Sequence, residues 1–397
     1  MGPEGFYNIL IYSHDTYGLG HIRRTMAIAA QLRADNVNVL ILTGSPIAGR
    51  FSFPENVDFV RIPGMIKKTN DEYHSLSIRI DSEHALNIRR SIILTTAKTF
   101  RPHLFLVDKE PLGLKKEVLP TLEWMQRYSP ATKTVLGLRD IMDDRETVRA
   151  DWVNKDVYRL LDELYSEIWV YGQRSIYDAV EEYAIPGSIE QKIVFTGYLP
   201  RRVASGKNKA KVRKKFCVRQ NDQMIVVTAG GGGDGYDMMD CYLRMHEVGA
   251  FRTGKSILVT GPFMPLSKRR KLAKRGRKLG IKLVPFYPQM EELIGAAEVV
   301  VSMGGYNTMC EILSQKTPSL IIPRETPRKE QLIRAEALQQ KQLIEYLPWP
   351  ELTPENLGHK MNVLLSNLKV YQQAMDQFEL KGIECIKKRL EAFRSTH

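Results

Sequence analysis

Two short apolar runs set the limits on what this chain can fold into. Tyr7–Ser13 (YNILIYS) leads into Gly18 and Gly20 before helical spacing over 22–32, and Met224–Thr228 (MIVVT) leads into the run Gly230, Gly231, Gly232, Gly233, Asp234, Gly235. Runs of this length, apolar at nearly every position, suit strands covered on both faces, and strand, tight turn, helix is the opening of a βαβ unit. Further strands are expected at Val37–Thr43, 57–62, 104–107, 134–138 and 167–170, with helices over Ser82–Phe100 and 148–164. After Met224–Thr228 the rhythm resumes at 256–260, 281–284, Val299–Ser302 and 319–322. Strands alternating with helices argue for an α/β chain built on parallel sheets, whose ligands sit at the carboxyl ends of the strands.

A chain of 397 residues has room for two such domains. The rhythm pauses in a basic stretch after Gly197. The expected division is therefore an N-terminal domain over 1–198, a basic linker over 199–220, a C-terminal domain over 221–368, and a long helix over 369–397 that crosses back to the first domain. No apolar run approaches the roughly 20 residues of a spanning helix, and the first residues lack a signal peptide's basic and apolar regions. The expected location is cytoplasmic. Cys217, Cys241, Cys310 and Cys385 are far apart and match no zinc spacing, so reduced thiols are expected rather than a disulfide framework.

The net charge of +13 is local. Residues 201–219 and 268–282 each hold nine basic and no acidic residues, and without those 18 the chain carries −5. Such clustering suits either an anionic surface near two places or a solvated linker and helix face. Nucleic acid is disfavoured, since only Phe216 offers a ring for base stacking within the two stretches.

Four loops follow strands and could carry chemistry. Gly230 to Gly235 leave backbone N–H groups open to a phosphate at a helix start. No Gly-Lys-Ser/Thr follows, so this is not a P-loop. In Tyr17-Gly18-Leu19-Gly20-His21, His21 opens a helix and is a candidate general base, with Asp108 at the end of the strand LFLV as the carboxylate to orient it. Gly304, Gly305 and Tyr306 follow the strand EVVVS, and Glu311 beyond them could accept from two adjacent hydroxyls, as on a ribose. Glu330 and Gln331 follow the strand SLIIP and could meet a polyhydroxylated ligand. Taken singly, each loop also has a bland reading as a turn or a solvated surface. No carboxylate cluster has metal spacing.

With these motifs the chain resembles the GT-B fold glycosyltransferases, and within them the MurG group of family 28. GLGHIRR is similar to that group's N-terminal glycine loop, with one fewer consecutive glycine, and GGGDG, FYPQM, GGYNTMCE and KEQ come in the family's order. The resemblance implies two Rossmann-like domains facing a central cleft. It implies that Gly231, Gly232, Gly233 and Gly235 meet a donor diphosphate, that the Phe286–Tyr287 backbone and Met290 flank a uracil, and that Glu311 holds the ribose. It further implies that Gly304, Gly305 and Tyr306 line the nucleotide, that Glu330 and Gln331 reach the donor sugar, and that His21 faces the cleft. Asp108 has no MurG counterpart and is similar to the His–Asp pairing of other inverting GT-B enzymes. Tyr306 and Asn307 stand where smaller residues are expected after the glycines.

The expected activity is metal-independent, inverting transfer of a hexose, N-acetylglucosamine first among the candidates, from a UDP-sugar co-substrate to an acceptor hydroxyl on a lipid or glycan. No cofactor is expected. The basic stretches would suit a peripheral enzyme on an anionic membrane. A nucleotide-sugar hydrolase or epimerase, or a non-catalytic nucleotide-sugar-binding protein, could use the same donor loops.

Overall fold

Valine, isoleucine and leucine fill the inner strands of two parallel sheets in the computed structural model, which describes residues 5–14, 20–34, 36–50, 53–67, 73–251 and 254–395. The chain divides into a first unit, Met1–Leu199 with Lys381–His397, and a second, Pro200–Leu380.

The first unit contains β1 (Tyr7–Ser13), β2 (Val37–Thr43), β3 (Val57–Arg61), the antiparallel pair β4 (Met65–Lys67) and β5 (Tyr73–Ser75), β6 (Leu104–Asp108), β7 (Lys133–Arg139), β8 (Glu167–Tyr171) and β9 (Ile193–Phe195). Apart from that pair, they form one parallel sheet in the order β3-β2-β1-β6-β7-β8-β9. The second unit contains β10 (Met224–Thr228), β11 (Lys255–Val259), β12 (Lys282–Val284), β13 (Val299–Ser302), β14 (Ser319–Ile321) and β15 (Glu345–Tyr346). Its order is β12-β11-β10-β13-β14-β15, again parallel throughout. Each sheet grows outward from its first strand in one direction and then in the other. The reversal falls between β1 and β6 in the first unit and between β10 and β13 in the second, and beside such reversals the loops diverge and leave a crevice.

Two expectations from the sequence are corrected. Residues 199–220 do not form a linker. From Pro200 onward they belong to the second unit, and they contain the helix Gly206–Lys215, with Ser205 accepting from the Asn208 N–H as its N-cap. That helix docks through buried Val212 and through Arg213, which binds Glu298 and the carbonyls of Ala296, Arg219 and Asp222. Nor is 369–397 one helix. Leu368–Gln377 lies in the second unit and Gly382–Ser395 in the first. The first of these helices ends where Phe378 turns extended, and the second starts against Tyr198, where a Cβ on Gly382 would sit 2.6 Å from the carbonyl oxygen that accepts the Gly382 N–H at 3.1 Å.

The helix Gly382–Ser395 covers the buried end of β8. Phe393 stacks on Trp169 with ring centroids 6.4 Å apart, Arg389 pairs with Glu167, and Glu167 also accepts from the Trp169 indole at 2.8 Å. Ile386 is wholly buried there. Ile386→Ala should therefore destabilise the first unit by about 2–5 kcal/mol. Hydrogen exchange should show faster exchange in β8, and unchanged protection of β8 would contradict this packing.

Candidate active site

The first reversal point carries a histidine, an aspartate and an arginine. The helix Gly20–Leu32 follows β1 and buries Ile22, Thr25, Ile28, Ala29 and Leu32 at helical spacing, with Arg24 buried among them. Asp108 is the last residue of β6, and β1 and β6 are registered with Tyr12 beside Val107, so Asp108 comes level with the end of β1. A guanidinium and a carboxylate, each 2% exposed, can share such a place only as partners. Arg24 donates from Nε to Oδ1 (2.8 Å) and from Nη2 to Oδ1 (2.6 Å) and Oδ2 (2.8 Å).

The His21 Nδ1 lies 2.5 Å from Asp108 Oδ2, while its side chain keeps 19% exposure. Burial by itself would raise the Asp108 carboxyl, but the Arg24 guanidinium and then His21 hold it well below the usual carboxylate range. The carboxylate is thus ionised, and the proton of the short contact resides on His21 Nδ1. Arg24 Nη2, 3.1 Å from the same nitrogen, faces it donor to donor, so that approach is not a hydrogen bond. A neutral imidazole protonated at Nδ1 carries its lone pair on Nε2, the form a general base needs. Burial lowers the His21 pKa to about 4, Asp108 opposing and Arg24 adding to the fall. The ring therefore stays neutral through the physiological range.

A second imidazole braces the first. His14 stands edge-on to His21, ring centroids 5.6 Å apart, and its Nδ1 lies 3.3 Å from the Tyr12 hydroxyl. That hydroxyl donates to Glu117 at 2.5 Å, and Glu117 is clamped by Arg89 at 2.5 and 2.6 Å. Of the N-terminal loop, Gly20 begins the helix and Gly18 lies outside the described residues.

The second reversal point carries the glycine loops. The structure sorts the glycines after β10 by what a side chain would meet. Gly232 has φ +90°, and a Cβ there would lie 2.1 Å from the Thr260 carbonyl oxygen; one on Gly235 would lie 2.0 Å from Ala229 Cβ. Both are required by the fold itself. A Cβ on Gly231 would make only ordinary contact with Phe263 at 3.5 Å, and one on Gly233 would meet nothing within 4 Å. The helix Tyr236–Glu247 then begins with no side-chain cap, its first N–H groups left to other acceptors.

Beside it, β13 ends in Gly304 and Gly305. Gly304 has φ +76° and passes so close to Ile321 that a Cβ would sit 2.6 Å from Cγ2, whereas Gly305 has open space. Tyr306, 4% exposed, begins the next helix with the Arg334 guanidinium 5.9 Å from its ring centre. Glu311, on the same helix, is 1% exposed and engaged within the protein. After β14, Arg324 organises the two residues singled out from the sequence: its N–H donates to Gln331 Oε1 at 3.1 Å and its Nη2 to Glu330 Oε1 at 3.0 Å. Phe286 is exposed, while Tyr287 and Met290 are buried, with Lys215 Nζ 4.6 Å from the Tyr287 ring centre. Among the described residues no group of three or more His, Cys, Asp or Glu side chains could hold a metal ion.

Arg24, His14 and Arg324 were not singled out from the sequence. Arg24 had a usable signal, lying three residues after His21 on the same helical face. For His14 and Arg324 no pattern distinguished them from ordinary loop residues.

Residues 249–390 match the sequence model of the glycosyltransferase family 28 C-terminal domain. The UDP-N-acetylglucosamine–N-acetylmuramyl-(pentapeptide) pyrophosphoryl-undecaprenol N-acetylglucosamine transferase of Streptococcus thermophilus is 35% identical over 91 residues, 22% of this chain and 26% of that protein. An uncharacterised glycosyltransferase of Methanopyrus kandleri is 28% identical over 179 residues, 45% of this chain and 48% of that protein. The match thus spans about a quarter of the first relative and about half of the second. MurG of Acinetobacter baumannii superposes with a TM-score of 0.62 at 12% identity, covering 98% of this chain and 99% of that one. Residues 249–390 thus resemble a glycosyltransferase family 28 C-terminal domain, and the whole chain has the GT-B fold and resembles the MurG group of that family.

Proposed function

We propose that the chain transfers a hexose from a UDP-sugar to an acceptor hydroxyl with inversion at the anomeric carbon. The observation that carries this reading is the 2.5 Å contact of His21 Nδ1 with an arginine-held Asp108. It leaves the Nε2 lone pair as acceptor for a hydroxyl proton. The deprotonated oxygen attacks the anomeric carbon from the face opposite the diphosphate, the bond to the diphosphate breaks, and the leaving group carries the electron pair away. Asp108 stabilises the imidazolium formed, because a carboxylate already at Nδ1 needs no rearrangement when the charge appears.

The second unit supplies the donor half. Gly231 and Gly233 leave backbone without a side chain, and the uncapped start of Tyr236–Glu247 offers N–H groups and a favourable dipole to the diphosphate. These replace a metal ion in the proposal, so activity should survive a chelator. The Phe286–Tyr287 backbone and Met290 flank the base, Gly304, Gly305 and Tyr306 line the nucleotide, and Glu311 takes the ribose hydroxyls by exchanging its internal partners. Glu330 and Gln331, set by Arg324, meet the sugar. UDP-N-acetylglucosamine is the first donor to try, since the streptococcal relative's name specifies it.

An acceptor on a lipid carrier is part of the proposal. Arg270, Lys271, Lys274, Arg277 and Lys278 lie exposed on the helix Leu266–Lys278, while its Arg275 is bound to Asp240 and Glu247. Each exposed cation near an anionic bilayer contributes about 1 kcal/mol. Among the described residues no helix is long and apolar enough to cross a membrane. Reversing Lys271, Lys274 and Lys278 to Glu should abolish co-sedimentation with phosphatidylglycerol vesicles. Equal sedimentation of the reversed protein would remove the membrane from the proposal.

The reaction itself is tested by following UDP release and sugar products from UDP-N-acetylglucosamine with candidate acceptors. Release of free sugar alone, or of an isomeric nucleotide sugar, would replace transfer by hydrolysis or epimerisation. His21→Ala should keep UDP affinity and lose about 10²–10⁴ in turnover. Because the neutral imidazole is the working form, kcat/KM should fall on the acid side near pH 4 rather than near pH 6.5. Arg24→Gln removes a cation that lowers the His21 pKa, so its acid limb should move to higher pH; an unmoved limb would deny Arg24 that influence.

Gly233→Ala separates fold from ligand. The added methyl has open space, so the melting temperature should not change. UDP binding, measured by calorimetry, should nevertheless weaken severalfold. Undiminished affinity would show that the diphosphate lies elsewhere.

A further inference from the structure

The loop assigned above to a diphosphate contains a carboxylate, and that is an electrostatic conflict. Asp234 sits between Gly233 and Gly235, directly before the N-cap of a helix whose start favours anions. A negative side chain there would repel a diphosphate unless its charge were matched. Arg324 provides the match: its Nη1 lies 2.9 Å from Asp234 Oδ2 while its Nη2 holds Glu330 Oε1 at 3.0 Å. The two ends of this clasp differ sharply. The Glu330 side chain is 4% exposed, and that of Asp234 is 59% exposed. The buried end is an anchor, and the exposed end is an ion pair that water already weakens. The guanidinium also has a third donor, Nε, which is buried and has no acceptor.

An arginine with one fixed carboxylate, one loose carboxylate and an unused donor is arranged to change partners. We propose that Arg324 is a ligand for the diphosphate of the nucleotide donor, held by Asp234 until the diphosphate takes its place. The inference rests on the donor reading of the glycine loop. On binding, Nη2 stays on Glu330 and Nη1 passes from the Asp234 carboxylate to a phosphate oxygen, with no covalent bond made or broken. A diphosphate carries more charge than one carboxylate and presents several pairs of oxygens that the planar guanidinium fork can bind, so the exchange runs toward phosphate. Asp234 then swings into solvent, for which its exposure already suits it. Because the Arg324 N–H also fixes Gln331, the same arginine ties arrival of the diphosphate to the residues assigned to the sugar.

This predicts opposite signs for the two halves of one ion pair. Calorimetry on the full chain with UDP and, separately, with uridine provides the test. Arg324→Gln should weaken UDP about tenfold or more and leave uridine unchanged, since uridine has no phosphate. Asp234→Asn, at an exposed position where folding is not at risk, should tighten UDP about threefold by removing the competitor. If Arg324→Gln and Asp234→Asn both weaken UDP, the clasp is a brace for the loop and the proposal fails. The same holds if Arg324→Gln costs UDP and uridine alike. If the unmodified chain binds uridine but gains nothing from the diphosphate, the proposal and the glycine-loop reading fall together. Normal UDP binding with an indifferent Arg324→Gln removes this proposal alone.

Discussion

A carboxylate at the end of a fully buried strand must be neutralised where it stands, and Asp108 meets that requirement with Arg24. Both groups are almost sealed from water, so either one alone would be an uncompensated charge, at a cost of about 3–5 kcal/mol. The pair therefore sets the rotation of the helix Gly20–Leu32 over β1 and β6. His21, three residues before Arg24, has its place decided by the same constraint. Its ring is presented to the carboxylate because the helix has been turned to deliver the guanidinium. The proposed base is in this sense a by-product of charge burial. His14 and the Tyr12–Glu117–Arg89 chain extend the same logic, with another buried carboxylate matched by another buried arginine.

The strands and their parallel order were legible because continuous apolar runs separated by helical spacing leave few alternatives. Ser82–Phe100 has the limits read from the sequence, fixed at its start by the Asp81 side chain accepting from the His84 N–H. Where the reading erred, apolar spacing was the wrong guide. The stretch 148–164 is two helices, because Asp156 adopts φ +56° between Arg145–Asn154 and Val157–Leu164. The strands β9 and β15, of three and two residues, are too short to leave a pattern.

The site divides in the same manner. A histidine after a glycine turn and an aspartate at a strand end are visible as types in places. Their meeting depends on the register of β1 against β6, which a single sequence does not display. The glycines show the limit most plainly: the sequence gives Gly231 to Gly233 as equals, but only the neighbours Thr260 and Ala229 reveal that Gly232 and Gly235 are demanded by packing while Gly233 is not. The basic stretches mislead for a related reason. Arg213, Arg275 and Lys215 are spent inside the unit on carboxylates, carbonyls and a ring, so net charge overstates what the surface can offer.

The return of Gly382–Ser395 to the first unit bears on how the chain is made. On the ribosome, β8 emerges long before the helix that covers it, with the whole of Pro200–Leu380 synthesised in between. At about 5–20 residues per second that interval is roughly 10–40 s. Throughout it the surface around Trp169 and Glu167 waits for its partner, and by its end the second unit has all its residues and is free to fold. The unit whose synthesis begins first is thus completed last, and the growing chain carries an apolar ledge that a folding helper could occupy until the closing helix arrives.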